Sequence, residues 1–387
     1  MRSLPYWRLS GYYFFYFAFN GAFMPYFGLY LQSLKFSAWD IGLLMSLMQV
    51  MRLFGPSLWG WLADRGHRRV TIVRLAGLVS LLGFTGFFWL RDLNGMMLAM
   101  GLLAFFWSAA LPLVETLTFN HLRGAAGRYS QIRLWGSVGF IIAVLGTGAL
   151  LDRAPLSSLI LTCWILLAGI LMLALTIPEA VPEPGHRDAA PLFEILRQPR
   201  VQALFAACFA MSAAHGALYV FYSIHLADHA YSKTEVGALW SLGVVAEIIV
   251  FMVMVRVEQT YSLRTILMAC FIAAIGRFLL IGWTIDIPAL TILAQVLHGL
   301  TFGAYHAAAI AAVNQWFPGN SQARGQAIYS SVSFGAGGLV GGMISGWTWD
   351  WLGAAWTYSF SSIFALAGLV MIACWVRDLP VGKEHRS

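Results

Sequence analysis

Eight ionisable side chains lie mid-helix in long apolar runs of this sequence: Arg52, Glu115, Arg133, His215, Glu247, Arg277, His298 and His306. Carboxylates and imidazoles can take up and release protons, and a guanidinium can hold a carboxylate through a bidentate fork. A charge at the middle of a bilayer costs about 2.5–3.5 kcal/mol on insertion scales, so each of these residues needs a partner or a task. Their spacing suggests levels. Glu115 and Arg133 each lie nine residues from Gly124, and Glu247 and Arg277 each lie 15 residues from Ser262. At 1.5 Å per residue the second pair stands about 22 Å above its turn. Arg277 and His298 flank the next turn, near 287–288, at matching distances. Three groups of the second half are therefore expected near one plane. His215 and His306 also have plainer readings. His215 stands where the earlier repeat has Asn20, a position that needs a polar side chain, and His306 can satisfy a backbone carbonyl.

The elements that must carry these groups follow from composition. The chain has 387 residues, of which 59% are hydrophobic and 11% charged, and its mean hydropathy is +0.73. Soluble proteins carry about 25% charged residues. A spanning helix needs about 20 apolar residues. Twelve such runs occur, at 8–33, 40–62, 70–90, 95–120, 130–151, 156–177, 201–228, 233–256, 262–284, 287–314, 323–349 and 353–376. The reading is an all-α membrane protein of 12 transmembrane helices, its first run being a spanning helix and not a signal peptide. The cysteines Cys163, Cys208, Cys270 and Cys374 show no ligand spacing, so no disulfide and no metal are expected.

A net charge of +7 could suggest nucleic acid, but its distribution argues against that partner. With the N-terminus inside, the inner segments hold 18 basic residues, among them Arg65, Arg68, Arg69, Arg74, Arg123, Arg128, Arg197, Arg200, Arg256 and Arg264. The outer ones hold only Lys35, Arg91, Arg153 and Lys233. This asymmetry puts both termini in the cytoplasm.

The chain is duplicated. "DIGLLMSL" from Asp40 returns as "EVGALWSL" from Glu235, and "NGAF" from Asn20 as "HGAL" from His215, both at an offset of 195. In this register Arg52 matches Glu247. Two parallel copies of a six-helix unit are expected: residues 1–177, a cytoplasmic linker over 178–200, and residues 201–387. The glycine stripe Gly338, Gly342 and Gly346 reads as a packing face, since neither a strand nor a Lys-Ser/Thr pair frames it as a nucleotide loop.

That architecture, with "GWLADRGHRR" at 60–69, resembles the major facilitator superfamily. The resemblance implies that Gly60, Asp64, Arg65 and Arg68 belong to an inner gate; the plainer alternative is a solvated basic turn. Glu115 and Arg133, 18 residues apart and followed by "LWGSVGF", resemble the substrate pair of lactose permease and its relatives. Glu247, Arg277 and His298 match the proton site of those proteins, but Thr301 stands where they carry a glutamate. If protons are coupled here, Glu247 is the expected carrier, assisted by His298 or His215. Closer similarity, in "IRLWGSVGF", "LWSLGVVAEIIVF", "VLHGLTFGAYHAAA" and "QAIYSSV", runs to the phenylpropionate permease family over nearly the whole chain.

Membership would imply a proton symporter of the bacterial inner membrane, monomeric, with no cofactor beyond the proton and a small-molecule substrate. Glu115 can pair with Arg133, and Glu247 with Arg277, which leaves Arg52 over to receive a substrate carboxylate. Alternatively Arg52 pairs with Glu115 or Glu247, or faces a water-filled cavity. Arg52, Glu115, Arg133, Asn20 and His215 are the expected substrate residues, and tyrosines of the first and seventh helices could stack on an aromatic ring. A sugar or nucleoside symporter, a drug or metabolite exporter and a non-transporting sensor stay open as alternatives. An enzyme does not fit, because no nucleophile or metal-ligand spacing is present.

Overall fold

A computed structural model describes residues 4–66, 68–122, 127–180 and 192–376. Among these residues the chain is helical, with no strand. The first six long helices are α1 (Tyr6–Ser33), α2 (Ala38–Gly66), α3 (Arg69–Thr85), α4 (Leu93–Leu122), α5 (Gly127–Leu151) and α6 (Ser158–Thr176). A short α7 (Leu192–Leu196) precedes α8 (Pro199–Ala214) and α9 (Gly216–Asp228), which form one interrupted span. Then follow α10 (Lys233–Thr260), α11 (Leu263–Trp283), α12 (Pro288–Val296), α13 (Tyr305–Trp316), α14 (Gln322–Ser330) and α15 (Gly338–Trp375).

Ten of the described segments are long and apolar enough to cross a membrane. The last of them, Gln322–Trp375, passes through Gly353, whose φ of 77° and ψ of 177° break the helix. A side chain is strained at that φ, so glycine makes the turn and the segment provides two crossings. The tyrosine-rich α1 is not among the ten, but its 28 residues reach about 42 Å. These segments account for the twelve expected crossings.

Two compact units form: Met1–Gly185 with Ala230–Ser241, and His186–His229 with Leu242–Ser387. In the first, α1 runs against α5 and α6. A Cβ at Gly21 would lie 2.5 Å from the Phe140 carbonyl oxygen, so only glycine lets the two backbones approach. In the second unit α15 packs on α8, α9 and α11. There Gly216, the repeat mate of Gly21, would collide through a Cβ with the backbone of Gly341. The repeated "GA" motif thus marks the same crossing in both units. The close approaches of the glycine-rich segment to α8 are made by Gly337 and Gly341, one register step before the 338–342–346 stripe.

Repeated capping boxes start α2 and α10. Ser37 and Asp40 exchange backbone and side-chain hydrogen bonds, and Ser232 and Glu235 do the same. The start of α10 is held a second time, within the first unit. Asp152 accepts from the Lys233 amide at 2.8 Å, and from the amide and hydroxyl of Thr234 at 3.0 and 2.6 Å. Tyr26 donates to the carbonyls of Val144 and Lys233, and Gly237 leaves room for its hydroxyl. Slight burial pushes the Asp152 carboxyl up, but the hydrogen bonds from Thr234 and Lys233, with the Lys233 charge, outweigh that and hold it below its ordinary range.

Two π-helical segments interrupt the second unit, at Gly299–Ala304 and Ser331–Gly337. Segments of this kind recur at functional sites. The first lies directly after His298.

Candidate functional site

The second unit gathers the groups that sequence spacing placed at one level. Glu247 Oε1 lies 2.6 Å from His298 Nε2, and both side chains are largely buried. Close helix packing sets this contact. A Cβ at Gly243 would meet His298 at 3.1 Å, and one at Gly299 would meet the Ala246 carbonyl at 2.8 Å. The other ring nitrogen of His298, Nδ1, is buried without a hydrogen-bond partner. One proton can therefore sit on either side of a single short contact.

Arg277 is fully buried beside this pair. Its guanidinium donates to the Ala294 carbonyl at 2.8 Å, the Thr301 hydroxyl at 2.9 Å and Gln295 Oε1 at 3.5 Å. It also meets His215 Nε2 at 3.3 Å. Arginine only donates, so Nε2 of His215 must accept. Nδ1 of His215 then carries the hydrogen and donates to the Met211 carbonyl at 2.8 Å. Geometry thus fixes His215 as a neutral imidazole. The expected Glu247–Arg277 ion pair is not formed: Glu247 reaches His298, and Arg277 is saturated by uncharged acceptors. Where lactose permease and its relatives carry a glutamate, Thr301 offers Arg277 an uncharged hydroxyl instead. His215, expected among the substrate residues, belongs to this cluster. His306 meets the Tyr329 hydroxyl at 2.9 Å instead of a backbone carbonyl.

The first unit gathers a second cluster around Tyr16. Arg52, Glu115 and Arg133 all act electrostatically on its phenol, which also meets the Asn20 side chain. Asn20 itself donates to the Tyr16 carbonyl at 2.9 Å. Glu115 accepts from the Tyr129 hydroxyl at 3.3 Å. Arg133 lies 3.8 Å over the Phe17 ring and 5.9 Å from the Tyr13 ring. The expected Glu115–Arg133 ion pair is therefore replaced by a phenol on one partner and aromatic faces on the other. Arg52 is exposed, not buried, and among the described residues it makes no ion pair or hydrogen bond. Within the first unit the alternative in which Arg52 pairs with Glu115 is therefore not realised.

Of the expected gate residues, Gly60 has open space around its Cα. Arg65 stacks 5.0 Å over Trp61, and Arg68 is exposed. The side chain of Asp64 lies outside the described residues.

Sequence reasoning missed Tyr16 as the hub of the first cluster and Gln295 as an Arg277 partner. Thr301 was read only as a missing glutamate. The signal for Gln295 was present: it lies three residues before His298, on the same helical face.

Ionisable groups buried inside spanning helices, in a duplicated all-helical fold, mark a polytopic membrane protein. The chain matches the model of the MFS_1 like family over residues 6–360, and it belongs to that family. It is 30% identical over 352 residues to a probable 3-phenylpropionic acid transporter of Escherichia coli (strain K12), covering 90% of this chain and 92% of that one. It is 26% identical over 379 residues to the maltose permease of Geobacillus stearothermophilus, covering 96% and 95%. The crystal structure of the nucleoside transporter NupG superposes with a TM-score of 0.83 at 18% identity, over 96% of this chain and 98% of that one. The chain is thus a multi-pass membrane transporter of the major facilitator superfamily and not an enzyme.

Proposed function

We propose that this protein is a proton symporter that imports a small aromatic carboxylate, 3-phenylpropionate being the best candidate, by alternating access in a bacterial inner membrane with both termini cytoplasmic. The Glu247–His298 contact carries the reading. A 2.6 Å contact between a carboxylate and an imidazole, mid-helix and largely buried, lets the two groups share one proton. Glu247 is the carrier and His298 its partner. Arg277 is the buried cation beside them.

Substrate binds in the first unit. Arg52 is the free cation there, and Arg133 offers a second guanidinium on an aromatic bed. A carboxylate would neutralise the excess positive charge that Glu115 leaves. Proton and substrate then promote the same conformational switch, which is linkage between two ligands. The similarity to a probable 3-phenylpropionic acid transporter of Escherichia coli supports the substrate class. The maltose and nucleoside relatives support the second reading, a sugar or nucleoside symporter. Export remains the third.

The test uses de-energised cells in weakly buffered anaerobic medium. External pH is recorded on adding 3-phenylpropionate, and separately lactose, with leakage of the acid subtracted using cells without the protein. Alkalinisation with phenylpropionate alone, lost in Glu247→Gln and Arg52→Ala, is the expected result. Alkalinisation with lactose that survives Arg52→Ala moves the protein to the sugar class.

A further inference from the structure

The proposed function leaves His306 without a task, although the packing sets it beside the proton carrier. A Cβ at Gly303 would lie 3.5 Å from Glu247 Cα, so α10 crosses the neighbouring helix with Glu247 at Gly303. His298 lies five residues before that point and His306 three residues after it. The side chain of Glu247 leans towards the start of α10, as helical side chains do, and so reaches His298. Its backbone nevertheless lies closer to the level of His306, and its charge acts on that ring. Where the two helices touch, Gly299 and Gly303 put no side chain between the two histidines. Phe302 stands beside this path. Its ring stacks on His298 at 5.4 Å and 12°, and on His306 at 6.1 Å and 14°. A phenyl ring carries no proton, so direct transfer between the two imidazoles is blocked.

The surroundings of His306 suit a proton acceptor. Its Nδ1 meets the Tyr329 hydroxyl at 2.9 Å. That hydroxyl is within reach of the Tyr305 and Ser333 side chains. Each of those gives its one hydrogen to the Cys208 carbonyl, at 3.4 and 3.0 Å. The order that satisfies every contact has Tyr329 donating to them and accepting from Nδ1–H of His306. Nε2 of His306 then keeps its lone pair. His298 is buried ten residues after the start of its span at Pro288, and His306 is half-buried ten residues before the end of that span at Trp316. In the orientation proposed above, His306 is the station on the cytoplasmic side. The geometry points to Glu247 as a carrier that swings between two stations, sharing its proton with His298 and handing it to Nε2 of His306 for release inwards. The O–H bond of the Glu247 carboxyl breaks and an N–H bond forms at Nε2. The imidazolium then passes that proton to water on the inner side, while Nδ1–H stays with Tyr329, the positioning residue. The inference rests on the proton coupling proposed above, not on the substrate, and deepens it.

The test uses proteoliposomes and whichever of labelled 3-phenylpropionate, maltose and uridine the wild type takes up. Uptake driven by a proton gradient and counterflow are measured on the same vesicles. His306→Asn and His306→Asp share one shape, but only the aspartate can take a proton. Gradient-driven uptake is expected to fall at least about tenfold in His306→Asn, as for the loss of a positioned base, and to recover in His306→Asp, with counterflow kept in both. Tyr329→Phe keeps the ring and removes the acceptor of Nδ1–H. It should lower uptake and spare counterflow, and unchanged uptake there counts against the inner station even if His306→Asn does not fold. Wild-type uptake in His306→Asn, equal losses in the asparagine and aspartate variants, or counterflow that falls together with uptake overturns the inner station alone. Wild-type transport that the proton gradient does not drive overturns proton coupling, and this inference with it.

Discussion

Glu247 and His298 share a 2.6 Å contact that binds the middle of α10 to the helix carrying Gly299 and Gly303. The repeat mate of Glu247 is Arg52, which among the described residues has neither an ion pair nor a hydrogen bond. The duplicated position thus carries opposite charges: the glutamate contacts a histidine, and the arginine makes neither an ion pair nor a hydrogen bond among the described residues.

Glu247→Gln cannot exchange a proton at that contact. Concentrative uptake is expected to fall at least about tenfold, while exchange of labelled for unlabelled substrate continues, because the turnover that follows substrate binding needs no net proton release. Uptake and counterflow measured side by side in the same vesicles check this. Loss of both activities would mean that Glu247 is structural.

Arg52→Ala removes the free cation. KM for a carboxylate should rise about 10- to 100-fold, the scale of a charged hydrogen bond worth about 1.5–3 kcal/mol. Arg52→Lys should recover only part of this, since lysine lacks the bidentate fork. Uptake kinetics at fixed pH decide, and a KM unmoved in Arg52→Ala would remove Arg52 from the substrate site.

Thr301→Val keeps the shape of the side chain and leaves one Arg277 N–H without its acceptor, while the same nitrogen keeps His215. An unmet buried donor costs about 1–3 kcal/mol, more when charged. A lower thermal unfolding midpoint in detergent is expected, with Thr301→Ser close to wild type. Equal midpoints for valine and threonine would show that Arg277 finds another acceptor.

The Asp152 clamp gives a pH dependence. Its carboxyl is held below the ordinary range, so its contribution is complete above the unfolded value of about 3.9 and is lost as pH falls through the lower folded value. The clamp should therefore be intact at neutral and mildly acidic pH. Asp152→Ala should speed hydrogen exchange of the Lys233 and Thr234 amides about tenfold or more at neutral pH. Exchange that is unchanged in the variant would show that the Ser232–Glu235 box holds the turn alone.

Gly21→Ala places a methyl 2.5 Å from the Phe140 carbonyl oxygen. Backbone cannot yield as a side-chain tip can, so α1 and α5 must separate. Reduced yield of folded protein on size-exclusion chromatography is expected, and a normal yield would show that the crossing tolerates the shift.

The membrane class, the number of crossings and the duplication were legible in the sequence because they depend on local quantities. Apolar run length sets each helix, and "NGAF" with "HGAL" repeats a packing rule in which glycine admits a neighbouring backbone. Levels were legible too: counting from shared turns brought Glu247, Arg277 and His298 to one depth, where the structure joins Glu247 to His298 and sets Arg277 beside them. Partner choice was not legible. Equal depth made Glu115–Arg133 and Glu247–Arg277 look like ion pairs, but a rise per residue says nothing about which way a side chain turns. Only the packed helices gave Glu247 to His298, gave Arg277 to His215, Thr301 and the Ala294 carbonyl, and laid Arg133 on Phe17. The unmet hydroxyl of Tyr12 and indole N–H of Trp107 are likewise facts of tertiary structure, since a buried donor is orphaned only by what surrounds it.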